Sequence, residues 1–421
     1  MFYKFKNFDY LTFKVSPSYL KLRMIAQGNN SLWKRLLSYS YHFFKALNKI
    51  RVEFRQSDVI FIWSTENQKK SLLPIQSEYK FRHGNEQGLS YSIKNRVSAD
   101  VLVPEFYSYF ISLFSLPFCL LYALYSICVN REYKQFSHGL DRFLLSIGQY
   151  YVYYMYLSIL APKVIILSND HNSEIRALLE VSRKKNIKTV FVQHATPNIN
   201  LPPLEQFKYA FLDGECSLDI YSSIGLLPKE IKLIGIAKLD KVKRSLGCCN
   251  ETYISVALNA IFDMKLLREL ILWINYSGFT VQIRWHPGQV NKISNLSKQL
   301  NDLDVIFNDP RDCDLFSFIL SSRILFSGNS NILLEAAILG IPTRYVQIDN
   351  IDFDYYHFVK NRITKEIFVG EHPFSMIFEK DSYLDFQPNE SALKYYDDSI
   401  GEVYYGFSGV KACDYIEVIT V

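Results

Sequence analysis

The chain has 421 residues, 49% of them hydrophobic, with 30 Tyr and 31 Phe; this is enough for large cores and too long for one, so it reads as two domains. The net charge of +5 is uneven, because the first 56 residues hold eleven Lys/Arg against Asp9 and Glu53 and the remainder is net acidic. Seven cysteines with no Cys-x-x-Cys pair exclude a disulfide framework and a structural zinc site, and the opening Met-Phe-Tyr-Lys-Phe-Lys lacks the apolar core of a secretory signal.

Residues 32–50 read as a helix with Trp33, Leu36, Leu37, Phe44 and Leu47 on one face and Lys34, Arg35, Lys45 and Lys49 off it. That pattern suits a surface-seeking amphipathic helix, and its basic surroundings suit an anionic membrane surface. Val59–Trp63 is a short buried strand, and residues 66–100 read as polar and loop-rich. An uncharged run from Phe106 to Val129 has the length of a membrane span but contains Pro117 and several Ser and Tyr. A second uncharged run covers Phe143 to Pro162. The two runs read as a bilayer hairpin, as aromatic helices lying in the interface, or as buried helices of the first domain.

From Lys163 onward strands and helices alternate. The expected order is strand 164–167, helix 173–185, strand 189–193, then strands 209–212 and 232–234. A polar stretch at 242–252 reads as a linker, dividing residues 1–245 from 246–421. Beyond it come strand 253–258, helix 263–276, strand 279–285, helix 289–300, strand 304–307, helix 312–320, strand 323–326, helix 330–339 and strand 343–348. Short connections of this kind give parallel sheets with right-handed crossovers. The expected fold class is α/β, with two doubly wound Rossmann-type domains facing a cleft.

Ligands of such sheets bind beyond the carboxyl ends of the strands. In the second half these ends carry Arg284-Trp285-His286-Pro287-Gly288 and Ser327-Gly328-Asn329-Ser330. Ser330 is placed to cap the next helix, and Gly328 lets a phosphate approach the backbone. Glu335 is placed to accept hydrogen bonds from ribose hydroxyls, and Arg284 and His286 to meet phosphate, with Pro287 fixing the turn. In the first half the ends carry Asp170-His171 and Gln193-His194-Ala195-Thr196-Pro197. His194 and Asp170 are the candidate general bases, with Asp213-Gly214-Glu215 a further strand end. Asp170 reads equally as a helix cap. Asp-x-Asp at 302/304, 312/314 and 352/354 lacks the apolar strand context of a metal site, and no Walker loop, Gly-x-Ser-x-Gly elbow or Gly-x-Gly-x-x-Gly is present.

These motifs resemble the GT-B glycosyltransferases that build bacterial surface polysaccharides. In sialyl- and polysialyltransferases a His-Pro motif and a later Ser pair bind the phosphate of a cytidine nucleotide sugar; His286-Pro287 and Ser327/Ser330 are similar. The acid-acid-Gly motif of that family is not intact here. In the teichoic-acid and capsule polyol-phosphate polymerases a His-Gly-Thr-Pro turn precedes an Arg-x-His-Pro motif; Gln193–Pro197 and Arg284–Pro287 are similar, with Ala195 in place of Gly. The resemblance covers about residues 163–350. It implies a metal-independent transferase with no cofactor, moving a sugar or a sugar- or polyol-phosphate from a nucleotide-sugar donor, CMP- or CDP-linked, to a glycan or lipid-linked glycan acceptor. The cysteine pattern and the basic, aromatic N-terminus point to a cytoplasmic location, peripheral at the inner face of the plasma membrane, and no nucleic-acid partner is expected, since such binding would rest on the basic N-terminus alone. The alternatives are a GT-B UDP-sugar 2-epimerase and a non-catalytic membrane-associated scaffold.

Overall fold

The computed structural model describes residues 32–47, 53–92, 97–118, 121, 140–169, 173–199, 201, 203–243, 253–259, 262–348, 354–378 and 386–421. The chain forms two compact units, Met1–Lys238 with Phe407–Val421, and Leu239–Gly406. A single boundary near residue 245 therefore does not divide it, because the last 15 residues rejoin the first unit.

The first unit is built on a seven-stranded sheet. Its strands are β1 (Val59–Trp63), β2 (Leu89–Ser92), β3 (Val101–Leu102), β4 (Val164–Leu167), β5 (Lys188–Val192), β6 (Tyr209–Leu212) and β7 (Glu230–Leu233), ordered β3-β2-β1-β4-β5-β6-β7. All pairings are parallel, with Ile62 opposite Leu167 and Leu167 opposite Phe191. Its helices are α1 (Leu32–Ala46), α2 (Glu66–His83), α3 (Glu105–Leu113), α4 (Leu140–Leu160), α5 (Ser173–Lys184) and α6 (Glu215–Ile224). Strand β1 is buried on both faces, as in any parallel sheet covered on both sides. Ile60 and Ile62 enter the core beneath α4 and α5, while Val59, Phe61 and Trp63 enter the core beneath α2.

The second unit opens with a single turn α7 (Asp240–Lys243). Its strands are β8 (Tyr253–Ala257), β9 (Val281–Arg284), β10 (Val305–Asn308), β11 (Ser322–Ser327), β12 (Thr343–Tyr345) and β13 (Lys365–Glu366), ordered β10-β9-β8-β11-β12-β13 and again parallel. Its helices are α8 (Met264–Asn275), α9 (Ile293–Lys298), α10 (Leu315–Leu320), α11 (Ile332–Ile338) and α12 (Glu390–Tyr396), and the returning helix is α13 (Ser408–Thr420). Strand order reverses between β1 and β4 and between β8 and β11. These are the two topological switch points, where crevices open beyond the strand ends.

Residues 66–100 depart from the expected loop. They hold the 18-residue α2, capped by Thr65, and strand β2. The buried face of α2 mixes Gln68, Ser71 and Gln76 with Leu72, Ile75 and Tyr79, and Pro74 lies inside it. A half-polar buried face erases the apolar period, and an internal proline signals a break. The second uncharged run is α4, which buries Leu144, Ile147, Tyr153, Leu157 and Leu160 in the core. The first run is described only at 106–118 and 121, where α3 and the turn after it lie against α4 and α1. Among the described residues no helix is long and apolar enough to cross a membrane.

Candidate functional site

In the second unit, strand β9 delivers Arg284, Trp285 and His286 in succession. The Arg284 guanidinium is buried and donates to Asn308 Oδ1, its neighbour across β10, and to the Cys313 carbonyl at 3.1 Å. Burial lowers its pKa, against the pull of nearby Asp314 and Asp309. These bonds make Arg284 a framework residue that ties the end of β10 and its loop to β9. Trp285 is buried and stacks on Phe307.

His286 is half-buried at the strand end, and desolvation lowers its pKa. The Gly288 N–H donates to His286 Nδ1 at 3.0 Å, so Nδ1 is the acceptor and the proton of the neutral ring sits on Nε2. A Cβ on residue 288 would stand 3.1 Å from Nδ1, so glycine is what lets the backbone fold onto the ring. Pro287 opens a 3-10 helix, Pro287–Lys292, where the sequence predicts the start of an α-helix.

The loop after β11 is fixed from three sides. Ser327 Oγ donates to the Ala257 carbonyl on β8, and Asn259 Nδ2 donates to the Asn329 carbonyl. Asn329 Nδ2 donates to the Tyr345 hydroxyl, and Asn329 Oδ1 accepts from the Tyr355 N–H. Ser327 and Asn329 thus shape the loop that carries Gly328 and Ser330. Ser330 does not directly flank the helix as expected. Asn331 is the flanking residue, in helical conformation and without a side-chain cap bond, and α11 is only seven residues long. A helix this short adds little dipole at its N-terminus. Glu335 is buried in the first turn of α11. Strands β9 and β11 flank β8, so His286 and this loop stand about two strand spacings, or ~10 Å, apart.

In the first unit, His194 follows β5. Its carbonyl accepts from Asn67 Nδ2 at 3.2 Å and from Lys238 Nζ at 3.3 Å, which holds the turn in place. Gln193 Oε1 accepts the Asp213 N–H at 3.1 Å and links the ends of β5 and β6, both side chains being buried. Asp170 lies outside the described residues, as does Asp352. Four of the other five Asp-x-Asp positions do structural work: Asp302 pairs with Arg268, Asp304 accepts from Thr280, Asp314 caps α10, and Asp354 accepts from the N–H groups of Phe358 and Val359. Among the described residues no cluster of His, Cys, Asp and Glu is arranged to hold a metal ion.

No protein-family model and no curated protein matches the chain. Solved structures do. UDP-GlcNAc 2-epimerase from Neisseria meningitidis, bound to UDP-GlcNAc, aligns with a TM-score of 0.54 at 14% identity, over 86% of this chain and 99% of that one. The Methanocaldococcus jannaschii UDP-GlcNAc 2-epimerase gives 0.55 at 13%, over 85% and 99%. S. aureus MnaA, solved with UDP, gives 0.53 at 9%, over 86% and 96%. The fold is GT-B.

Within that GT-B frame the sequence misses several polar groups at the first unit's switch point. Ser64 and Ser168, at the ends of β1 and β4, are buried, and their hydroxyls have no hydrogen-bond partner among the described residues. Glu174 and Arg176 are buried near the start of α5. Burial, reinforced by Glu174 and Glu105, holds the Tyr153 hydroxyl well above the usual phenol range. In the sequence Glu174 and Arg176 are only positions of the expected helix 173–185. Helix α4, which immediately precedes β4 in the chain, packs against α5.

Proposed function

We propose that this protein is a glycosyltransferase that uses a nucleotide-sugar donor. The observation that carries the reading is the neutral His286 ring, locked by Gly288 so that Nε2–H is the free donor, two strands from the fixed loop Gly328–Ser330. A neutral donor and loop N–H groups suit the phosphate of a bound nucleotide, and Glu335 suits its ribose. In transfer, an acceptor hydroxyl oxygen bonds to the sugar's anomeric carbon and the bond from that carbon to the phosphate oxygen breaks. The electron pair leaves on the nucleotide, whose growing charge His286 stabilises. The hydroxyl proton goes to a general base. The acceptor we assign is a glycan of the cell surface.

A 2-epimerase acting on a UDP-sugar is the second reading, favoured by the fold shared with the Neisseria enzyme over nearly that enzyme's whole length. The two differ in chemistry at sugar carbon 2. Epimerisation removes and returns the proton there, and transfer leaves it in place. A thermal-shift screen of UDP, CMP, CDP and GDP first identifies the nucleotide, since a ligand bound by the native state raises the melting temperature. The matching sugar nucleotide is then incubated in deuterium oxide with and without glycan acceptors. Acceptor-dependent nucleotide release with no deuterium at carbon 2 is the expected result. Deuterium at carbon 2 without acceptor establishes the epimerase, and neither signal leaves a non-catalytic scaffold.

A further inference from the structure

Helix α1 is inverted relative to an ordinary surface helix. Such helices turn an apolar stripe to the core and polar groups to water. Here Trp33, Leu37, Tyr41 and Phe44 are 74, 68, 62 and 65% exposed. At 100° per residue they occupy an arc of about 80°. Tyr39 and Ala46 are buried on the far side of the same helix, and Leu36, which the sequence groups with the stripe, lies with Phe43 on the partly buried flank between the two faces. Tyr39 Oη donates to the Tyr109 carbonyl of α3 at 2.8 Å, and the Phe43 ring meets Phe106 of α3 at 5.9 Å. The inward face is thus already occupied, and the outward stripe is a second apolar face. Lys34 and Lys45 are exposed and fall along one edge of that stripe.

Helix α3 continues the pattern. From Phe106 a ladder of ring contacts runs to Phe110 and on to Phe114, at 5.9 and 5.5 Å, and Phe114 is 70% exposed. Two neighbouring helices of the same unit therefore present aromatic rings outward. Scattered exposed apolar residues need no explanation, but a continuous stripe edged by lysines does.

We propose that α1 and α3 dock the protein on an anionic phospholipid bilayer, with the outward rings of both helices entering the interface. Aromatic rings favour the depth between headgroups and acyl chains, and lysines at the edge of a stripe meet anionic headgroups. The sequence adds charge of the required sign, eleven Lys/Arg against two acids in its first 56 residues. Partners with an acidic protein surface would match the lysines but not a stripe of four apolar side chains on α1. The inference stands apart from the reaction catalysed, because it uses no residue assigned to donor or acceptor.

The test is flotation of the full chain with two kinds of vesicle, phosphatidylcholine alone and phosphatidylcholine with roughly one-third phosphatidylglycerol. The wild type is expected to float with the anionic vesicles and weakly with the neutral ones. A W33S/L37S/F44S variant loses about tenfold or more of this partitioning at every salt concentration. A K34E/K45E variant loses binding chiefly at low salt, where charge is least screened. Both variants keep the wild-type melting temperature, since the altered side chains are exposed. Absence of wild-type flotation, or undiminished flotation of the triple variant, overturns the proposal. So does a lower melting temperature or a lost oligomer in the triple variant, which means that this chain or a second copy covers the stripe.

Discussion

Burial holds the His286 ring below its ordinary pKa of 6.5, and the Gly288 N–H decides which nitrogen carries the proton. As pH falls through 6.5 the unfolded chain therefore takes up this proton first. The group opposes folding below that pH and leaves stability above it unchanged. Nitrogen-15 NMR of the imidazole is expected to show the Nε2–H tautomer at pH 7 and a midpoint below 6.5. His286→Ala is expected to weaken nucleotide binding by ~1.5–3 kcal/mol, read by calorimetric titration, because it removes a hydrogen bond to a charged group. Gly288→Ala should act in the same direction by pushing its methyl against Nδ1; unchanged affinity in both variants removes His286 from the phosphate site. This residue was legible in the sequence because proline and glycine mark the strand end. The framework roles of Arg284, Ser327 and Asn329 were not, since their partners Asn308, Ala257 and Tyr345 are set by strand order. The pair Lys243–Asp397 was equally hidden, 154 residues apart, fully buried, and joined at 2.6 Å with Ser399 as third member. Lys243→Met alone leaves a buried carboxylate uncompensated and should cost about 3–5 kcal/mol in urea unfolding. The double variant K243M/D397L should recover much of that loss.

At the scale of elements, legibility followed the purity of the apolar pattern. Strand β4 is a continuous buried apolar run, β5 and β11 carry the buried apolar triplets Val190–Val192 and Ile324–Phe326, and all three appear within a residue of where the sequence places them. Helix α2 does not, because its buried face is half polar. The outward face of α1 could be seen as amphipathic, but which side meets protein depended on α3 and α4. The crossing of α3 and α4 is tighter than either sequence suggests. A Cβ on Gly148 of α4 would stand 1.8 Å from the Ser108 carbonyl oxygen of α3, inside any possible contact. Alanine is a better helix former than glycine by ~1 kcal/mol, so propensity alone predicts that Gly148→Ala stabilises. Packing predicts the reverse, since overfilled contacts typically cost about 1–3 kcal/mol and rigid backbone cannot yield as a side chain can. A lower urea midpoint with an unchanged slope is the expected result, and a higher midpoint would show that the helices separate freely.

The described residues build two parallel sheets, and alternating strand and helix signals beyond residue 163 announced both. The route of the chain was less visible, because the C-terminal helix reads as a continuation of the second unit. Its burial pattern assigns it to the first. Ala412, Cys413, Ile416 and Ile419 of α13 enter the core beneath β1, β4 and β5, on the face that α2 also covers. Arg82 at the end of α2 pairs with Asp414 at 2.7 Å, and Lys188 Nζ donates to the Ile419 carbonyl at 2.5 Å. Burial pushes the Cys413 thiol up to about 12, so it stays protonated and packs as a small apolar group. Truncation after Gly406 strips this cover from one side of the first sheet and removes nothing from the second unit's core. Hydrogen exchange by mass spectrometry should then show β1, β4 and β5 losing protection while β8, β9 and β11 keep theirs, since stability is lost where buried contacts are lost. Uniform loss across both sheets would mean that the two units unfold as one, and unchanged exchange in β1 would mean that α13 contributes no cover.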